Sequence, residues 1–315
     1  MDISNTEFDL IRKHIYGLCG LIIGEGKEYL IVHRLKHLLK DKGCKSWMEF
    51  YNALRTGNET LREEVISAIS THETSFFRDN HPFNVIRKIV IPHLIKNKKP
   101  NRKIRIWCAA SSTGQEPYTL SMIIHDLANS VVFKNAKIED FDIVATDISK
   151  HIVEQARKGE FTKLEISRGL PIQYSKYFKE QGTLWKVSES VKSLVSFQTL
   201  NLLDSFDPLG KFDFVLCRNV LIYFDEKTKI KIVHRIHALL PDKGHLLLGA
   251  TETLAGQTDR FISTREGPVI LYRKDNNFSS VNKRREPIKI KNESNLSNRS
   301  VVGSGRVSLV GGNIS

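Results

Sequence analysis

Apolar residues in roughly the first 80 positions recur every three to four residues, in four successive stretches. This spacing places them on one face of a helix, so each stretch predicts an amphipathic helix. The first stretch contains Phe8, Ile11, Ile15 and Leu18, and the last contains Leu61, Val65, Ile66 and Ile69. Glycines separate the stretches. We therefore predict an all-helical domain over residues 1–80.

A different pattern begins near residue 103, where short apolar runs typical of buried strands alternate with helical stretches. The predicted strands are 103–110, 141–146, 212–217 and 245–250, and the predicted helices are 117–127, 150–158 and 227–240. Two further runs, 261–264 and 269–273, flank a turn and predict a closing hairpin. This alternation predicts an α/β fold with a doubly wound, largely parallel sheet.

A segment at about residues 160–194 interrupts the alternation and is too long for a plain connection. It contains one clear strand pattern at 183–187, so we predict a small inserted subdomain whose chain returns to the main sheet at 195–199. The α/β domain then spans residues 81–274. Beyond it the chain is polar and rich in basic residues, which predicts a basic, disordered tail over residues 275–315.

Residues 104–118, IRIWCAASSTGQEPY, predict a buried strand, a tight turn of small residues and the start of a helix. An open α/β sheet binds its ligand at such a point. The turn has only Gly114, whereas a dinucleotide needs several glycines so that backbone can approach the pyrophosphate. Glu116 opens the helix, and its carboxylate favours a cationic group and would repel a phosphate. The turn therefore favours S-adenosylmethionine, which carries a sulfonium and an amino acid but no phosphate.

Polar residues also follow two later strands of the predicted sheet. Asp147 follows the second strand and suits the ribose hydroxyls of an adenosine, although it also suits the N-cap of the next helix. Arg218 and Asn219 follow the third strand, with Tyr223 about one helical turn later. The carboxyl end of a central strand is well placed to line a cleft. The alternative is that Asn219 and Asp225 cap a helix.

Two segments leave their role open. Residues 71–78, THETSFFR, lie between the two predicted domains. Their aromatic pair fits plain packing and Arg78 fits a surface charge, but the planar guanidinium of Arg78 could instead orient a carboxylate in a cleft. Asn201 and Leu202 follow the returning strand, where they either contact an adenine edge or form a turn.

The composition adds one unusual property to an otherwise ordinary globular protein of 315 residues, a net charge of +13. Such a charge suggests an acidic partner, namely nucleic acid, a membrane surface or an acidic protein, while a solvated surface and the basic tail account for part of it. The four cysteines are far apart and form no CxxC motif, which favours buried thiols in a reducing compartment. With no signal peptide and no apolar run near the roughly 20 residues of a membrane span, we expect a cytoplasmic protein.

The motifs THETSFFR, WCAASSTGQEPY, ATDIS, NLLD and CRNVLIYFD occur in this order. With their spacing they resemble the chemotaxis-receptor glutamate methyltransferases, the CheR family, over about residues 1–274. The resemblance implies a Rossmann-like class I methyltransferase with a small inserted β-subdomain, preceded by an all-α N-terminal domain. It also implies transfer of a methyl group from S-adenosylmethionine to receptor glutamates. The products are glutamate methyl esters for sensory adaptation and S-adenosylhomocysteine.

The resemblance also implies a set of site residues. The implied cofactor contacts are His72, Thr74, Arg78, Glu116, Asp147, Asn201, Leu202, Arg218 and Asn219. The implied catalytic residues, which line the methyl-transfer cleft, are Arg78, Arg218 and Tyr223. Glu116 would hold the amino group of the cofactor and Asp147 its ribose. His72 stands where another family member has asparagine.

The second predicted helix carries Arg34, His37 and Lys40 at intervals of three residues. The resemblance implies that this basic face docks the acidic, glutamate-bearing helix in the cytoplasmic region of a methyl-accepting receptor; a solvated helix face is the alternative. His33 and His37 are one helical turn apart, but no third ligand is evident, so no metal is predicted. The inserted subdomain looks short and lacks a glycine-x-glycine element, so we expect no dependence on a tether at the receptor C-terminus.

Two other functions stay open. A methyltransferase for nucleic acid or another acceptor on the same fold would fit the charge of +13, but the chain lacks an NPPY-type motif. A signalling module that binds S-adenosylmethionine without catalysis is the third reading, and the joint presence of the implied site residues argues against it. We expect neither nucleic-acid binding nor direct membrane insertion.

Overall fold

Four helices form the N-terminal part of the computed structural model, which describes residues 2–57, 59–128 and 130–275. They are α1 (Asn5–Cys19), α2 (Glu28–Asp41), α3 (Trp47–Arg55) and α4 (Glu59–Ile69). Ser4 and Glu7 cap α1 reciprocally, and Gly20 ends it at a φ of 72°. The apolar faces of all four helices meet in one cluster. The predicted tail at 275–315 lies outside the described residues, apart from residue 275.

A second helical segment joins this bundle to the sheet. It consists of α5 (His81–Val85), the π-helical turn Ile86–Val90 and α6 (Ile91–Lys96). The sequence patterns did not predict it. The elements that follow are β1 (Ile104–Ala109), α7 (Gln115–Leu127), β2 (Phe141–Asp147), α8 (Lys150–Lys158), β3 (Glu160–Thr162), α9 (Lys163–Ser167), β4 (Phe178–Gln181), β5 (Leu184–Val187), α10 (Glu189–Lys192), β6 (Val195–Thr199), β7 (Phe214–Cys217), α11 (Glu226–Leu239), β8 (His245–Leu248), β9 (Phe261–Glu266) and β10 (Val269–Lys274).

The main sheet has the strand order β6-β2-β1-β7-β8-β10-β9. All its strands are parallel except β10, which pairs antiparallel with β8 and β9. The predicted doubly wound sheet with a closing hairpin is therefore confirmed. Neighbouring residues of β1 face opposite layers: Ile106 packs in one apolar cluster with Ile123 of α7, and Trp107 packs in another with Ile236 of α11. Since helices cover both faces, most residues of the central strands are buried and apolar.

The inserted segment forms a separate antiparallel sheet of the order β3-β5-β4. Only β5 was predicted from the sequence. Phe76, just before the linker helices, packs edge-on against Phe161 at a ring distance of 4.9 Å and against Phe178 at 5.3 Å. Gly169 approaches the same residue, and a methyl group in place of its hydrogen would overlap the Phe76 carbonyl. The inserted sheet therefore packs closely on the segment that joins the two domains.

The Gly169→Ala variant is expected to be less stable than Gly182→Ala. Both glycines have positive φ, so both variants carry backbone strain, but nothing lies within 4 Å of a methyl group at position 182. The overlap with the Phe76 backbone should lower the unfolding free energy of the Gly169 variant by roughly 1–3 kcal/mol more. Urea unfolding of both variants measures the difference, and equal unfolding midpoints would contradict the packing.

A pair of packed histidines, one of them buried, lies at the opposite edge of the sheet from the candidate ligand turn. His245 begins β8, is 6% exposed and packs edge-on against His93 at a ring distance of 4.9 Å. Its Nδ1 atom has no hydrogen-bond partner in the described part of the chain. Burial, with the nearby charges of His93 and Arg273, lowers the pKa of His245 from 6.5 to about 4. The folded protein therefore favours the neutral ring.

This depressed pKa makes stability depend on pH in a defined direction. Between pH 6.5 and 4 the unfolded chain takes up a proton at His245 that the folded chain does not. The unfolding free energy should therefore fall by about 3 kcal/mol as the pH drops through this window. His245→Phe keeps an aromatic ring and should lose this part of the pH dependence. Urea unfolding at several pH values measures it, and the same slope in the variant would disprove the assignment.

Candidate active site

A cleft of about 970 Å³, part of it open to solvent, lies at the carboxyl ends of β1, β2 and β7. Its lining comes from the end of α1, the segment after α4, the turn after β1 and the loops after β2, β6 and β7. The lining residues are Cys19, Leu21, Ser70, Thr71, His72, Glu73, Thr74, Ser75, Arg78, Ala110, Ser111, Ser112, Glu116, Asp147, Ile148, Leu200, Leu202, Arg218, Asn219, Val220 and Tyr223.

The N-terminal bundle covers this edge of the sheet. The side-chain amide of Asn201, after β6, donates to the Leu18 carbonyl at 2.8 Å. The Ile22 amide donates to the Tyr223 carbonyl at 3.0 Å. Both bonds join the end of α1 to loops that follow sheet strands. The cleft is therefore closed on one side by the bundle.

The turn after β1 has a strained backbone that two side-chain bonds hold. Ala110 and Ser112 have φ values of 55° and 52°, in the left-handed region that residues with a Cβ rarely adopt. The Ser112 amide donates to Oδ2 of Asp147 at 2.9 Å, and its hydroxyl donates to the His72 carbonyl at 2.9 Å. The turn is thus fixed both to the end of β2 and to the segment between the domains.

Asp147 is buried, with 5% of its surface exposed. Its Oδ1 accepts from the Ser149 amide at 3.1 Å, while Oδ2 accepts from Ser112. Ser149, not Asp147, caps α8, because its hydroxyl accepts from the Ile152 amide. Burial raises the pKa of Asp147, although these amide bonds and the nearby His72 oppose the rise. The N-cap alternative is therefore wrong. The carboxylate lines the cleft and can accept further hydrogen bonds.

The guanidinium of Arg218 is buried in the wall of the cleft, and its side chain is 2% exposed. It forms ion pairs with Glu116 at 2.7 Å and with Asp79 at 2.8 Å, and also donates to the Arg78 carbonyl at 3.1 Å. Its guanidinium lies 5.4 Å from the ring centre of Phe83. Two carboxylates around one guanidinium leave a net negative charge. The site therefore suits a further cationic group beside Glu116.

The segment between the domains brings Arg78 and Asp79 to the cleft through an unusual backbone. Phe77, Asp79 and Asn80 have φ values of 50°, 69° and 49°. One guanidinium nitrogen of Arg78 donates to the Glu73 carbonyl at 2.8 Å. Thr74 also lines the cleft, as does His72, whose Nε2 lies 3.1 Å from the Ser67 carbonyl.

Asn201 is placed differently from the other predicted cofactor residues. Its side chain holds a turn, since Oδ1 accepts from the Leu203 amide at 3.0 Å while the amide nitrogen binds Leu18. It is absent from the cleft lining among the described residues, whereas Leu202 is part of it. The turn alternative thus describes the observed bonds of Asn201, and its contact with the cofactor stays a prediction.

The predicted docking residues on α2 also divide into two kinds. Arg34 donates to the Ile69 and Ser70 carbonyls at 3.0 and 2.7 Å, so it caps the end of α4. His37 and Lys40 are exposed. Of the three predicted docking residues, His37 and Lys40 therefore present exposed side chains, whereas Arg34 is engaged with the end of α4.

Two residues around the cleft were not singled out from the sequence. Asp79 directly follows the THETSFFR motif, but its pairing with Arg218 joins positions far apart in the chain. Glu252, in the turn after β8, accepts backbone bonds from the loop that begins at Asn219. A lone acidic residue in a polar turn gives no local signal of either role.

The doubly wound sheet, the cleft at the carboxyl ends of its strands and the acidic residue after β2 define a class of protein, the Rossmann-like methyltransferases that use S-adenosylmethionine. The chain belongs to the CheR methyltransferases. The family's all-alpha domain matches residues 6–70, and its SAM binding domain matches residues 72–269. The predicted family, fold class and cofactor are confirmed.

Relatives match almost their whole length. Chemotaxis protein methyltransferase 1 of Pseudomonas aeruginosa is 41% identical over 276 residues, which cover 87% of this chain and 99% of the relative. Chemotaxis protein methyltransferase Cher2 of Pseudomonas putida is 40% identical, with 86% and 99% covered. Among solved structures, magnesium protoporphyrin IX methyltransferase from Synechocystis PCC 6803 with bound SAM has 14% identity and a TM-score of 0.34, covering 65% of this chain and 85% of its own.

Two features are absent from the described residues. No helix there combines the length and the apolar character needed to cross a membrane. Within residues 2–57, 59–128 and 130–275, no three or more His, Cys, Asp or Glu residues are grouped so that they could hold a metal ion.

Asp147→Ala is expected to weaken S-adenosylmethionine binding by at least about tenfold, or roughly 1.4 kcal/mol, because it removes the acceptor atoms beside the turn. Asp213→Ala is the matched control. Asp213 also accepts a backbone amide of the β1 region, from Arg105 at 2.9 Å, but it lies at the other edge of the sheet. Calorimetric titration of both variants measures the affinity. Equal affinities in the two variants would contradict the role of Asp147.

Proposed function

We propose that this protein transfers the methyl group of S-adenosylmethionine to glutamate side chains of chemotaxis receptors and so forms methyl esters. One observation carries the proposal. The carboxylates of Glu116 and Asp147, which suit the cofactor, line the same cleft as Arg78, which comes from the segment between the domains. The full-length match to proteins named chemotaxis protein methyltransferases supports the same acceptor.

On the cofactor side, three residues from different strand ends have complementary chemistry. Asp147 would accept from the ribose hydroxyls, and Leu202, 6% exposed, would give an apolar wall to the adenine. Glu116 would bind the amino group, which the net negative charge around Arg218 favours. Each group thus has a counterpart in the parts of S-adenosylmethionine.

The chemistry requires alignment more than proton transfer. When bound, the cofactor supplies an electrophilic methyl group, which the acceptor carboxylate takes while the sulfonium becomes a neutral thioether. A glutamate with a pKa of about 4.3 is already ionised at neutral pH, so the protein needs no general base. Its residues must exclude water from the carboxylate and hold it in line with the methyl group. Such alignment is worth roughly 7–11 kcal/mol in favourable cases.

Arg78 and Tyr223 are the residues that we assign to the acceptor. Arg218 already has its two ion pairs, so its bonds stabilise the cleft rather than the glutamate. Arg78 makes one bond to a backbone carbonyl and has further N–H groups for a carboxylate. A few single hydrogen bonds would orient the glutamate without the bidentate pairing that would quench its nucleophilicity.

The receptor itself would approach over the α2 side of the bundle. The exposed His37 and Lys40 suit an acidic, glutamate-bearing helix, and Arg34 would support the surface from within through its bonds to the end of α4. We further propose that a C-terminal receptor tether is not needed, because the loop joining β4 and β5 has only two residues between the strands.

Transfer of isotopically labelled methyl groups to a purified receptor cytoplasmic fragment tests the proposal. The label should appear on the fragment and should be released by mild base, since carboxyl esters hydrolyse readily. A fragment without its C-terminal tether should accept methyl groups at a comparable rate. Label that survives base treatment would favour another acceptor group, and cofactor binding without any transfer would favour a signalling module.

A further inference from the structure

Glu252 is a buried carboxylate without a cationic partner in the described part of the chain. It lies in the turn after β8, and 8% of its surface is exposed. The ion pairs found among the described residues do not include it. A buried charge is costly unless other polar groups compensate it. The compensation here comes from the backbone.

Five backbone N–H groups converge on the two oxygens of Glu252. Oε2 accepts from Asn219 and Gly249, each at 2.7 Å. Oε1 accepts from three consecutive residues, Val220 at 3.0 Å, Leu221 at 2.7 Å and Ile222 at 3.3 Å. Four of the five donors thus belong to the loop between Arg218 and Tyr223. The carboxylate replaces the backbone partners that this loop lacks.

The backbone around the carboxylate of Glu252 is strained at Asn219 and tightly packed at Gly249. Asn219 has a φ of 57°, a strained conformation for a residue with a Cβ. A methyl group on Gly249 would lie 2.7 Å from Oε2 of Glu252 and 2.8 Å from the Asn219 nitrogen. Glycine is therefore required there for the carboxylate to reach the loop. Removing the carboxylate would leave buried N–H groups unpaired. It would also remove the hydrogen bond that keeps Asn219 in its strained conformation.

We propose that Glu252 is a positioning residue for methyl transfer. It does not line the cleft among the described residues, but Asn219, Val220 and Tyr223 of the loop that it holds do. The loop also begins directly after Arg218. Glu252 thus sets the backbone from which Asn219 and Tyr223 reach the cleft. The inference rests on the proposed function only in taking this cleft as the place of methyl transfer.

The Glu252→Gln variant keeps the size of the side chain but turns one oxygen into an amide that must face N–H donors. The loop should then move or exchange between conformations. A displacement near 1 Å at reacting groups is enough to lower a rate by about a hundredfold. We therefore expect kcat for methyl transfer to fall at least about tenfold. The Kd for S-adenosylmethionine should change less than kcat, because Glu116, Asp147 and Leu202, to which we assign the cofactor, belong to other segments, although Asn219 of this loop is also an implied contact.

Glu7→Gln is the matched control. Glu7 also accepts backbone N–H groups from two segments, Ser4 at 2.9 Å and Met48 at 3.0 Å, but it lies in the bundle away from the cleft. Both variants should lose stability in urea unfolding. Only the Glu252 variant should lose kcat, which separates a role in positioning from a general structural one.

Amide hydrogen exchange of residues 219–222 reports the hold on the loop directly. Exchange there should be faster in Glu252→Gln than in the wild type and unchanged in Glu7→Gln. If Glu252→Gln does not fold, Gly249→Ala replaces it: this variant keeps the carboxylate, displaces it, and should produce the same loss of kcat and the same faster exchange.

The outcomes separate this inference from the proposed function. A folded Glu252→Gln protein with wild-type kcat, or with unchanged exchange at 219–222, would overturn the inference. So would a loss of cofactor affinity as large as the loss of kcat. If the wild type itself transfers no methyl group to the receptor fragment, the proposed function fails, and the exchange measurement alone then decides whether Glu252 holds the loop.

Discussion

The buried guanidinium of Arg218 connects three separate parts of the chain: the segment between the domains, the start of α7 and the loop after β7. It binds Glu116 at the start of α7 and Asp79 in the segment between the domains, while its own backbone directly follows β7. Breaking such a buried pair from one side leaves an uncompensated charge, which is far more destabilising than the pair itself is stabilising. The two walls of the cleft are therefore coupled. Neither the linker nor the helix start can move without disturbing this cation.

The other two buried carboxylates at this edge of the sheet are held in a different way. Glu116 shares the guanidinium of Arg218 with Asp79, whereas Asp147 and Glu252 are held by backbone amides. Amide dipoles stabilise a carboxylate without cancelling its charge. Burial is the chief cause that raises the pKa of Asp147, while the amide bonds oppose the rise. A ribose hydroxyl that donated to this carboxylate, as we propose, would add to these bonds.

The sequence predicted those features that follow from local periodicity. The central strands are rich in apolar residues because both faces of the sheet are covered, and the bundle helices repeat apolar residues at helical spacing. The helical segment before β1 was not predicted from the sequence. Its prolines, Pro82 and Pro92, lie in first turns, where proline is tolerated. β3 and β4 are short, and β4 is mostly exposed, so neither leaves a clear apolar pattern.

Site residues were predictable where a strand end, or the helix start that follows it, places them in the cleft. Asp147 and Arg218 follow buried strands, and their positions in the cleft follow from that topology. The roles of Asn201 and Arg34 could not be predicted in this way. Asn201 bonds to a carbonyl 183 residues earlier, and Arg34 bonds to carbonyls about 35 residues later. Such partners are defined by tertiary packing, which residue type and spacing do not encode.

Backbone strain is concentrated at the cleft, and each strained segment has its own buried anchor. Of the eight non-glycine residues with positive φ among those described, six lie in segments that form the cleft: Phe77, Asp79, Asn80, Ala110, Ser112 and Asn219. Each such conformation costs about 1–3 kcal/mol and persists only when its surroundings enforce it. Arg218 holds Asp79, Asp147 holds Ser112 and Glu252 holds Asn219. The proposed methyl transfer to a glutamate, which needs alignment but no proton transfer, would depend on backbone placed in this way, and three charged side chains maintain that placement.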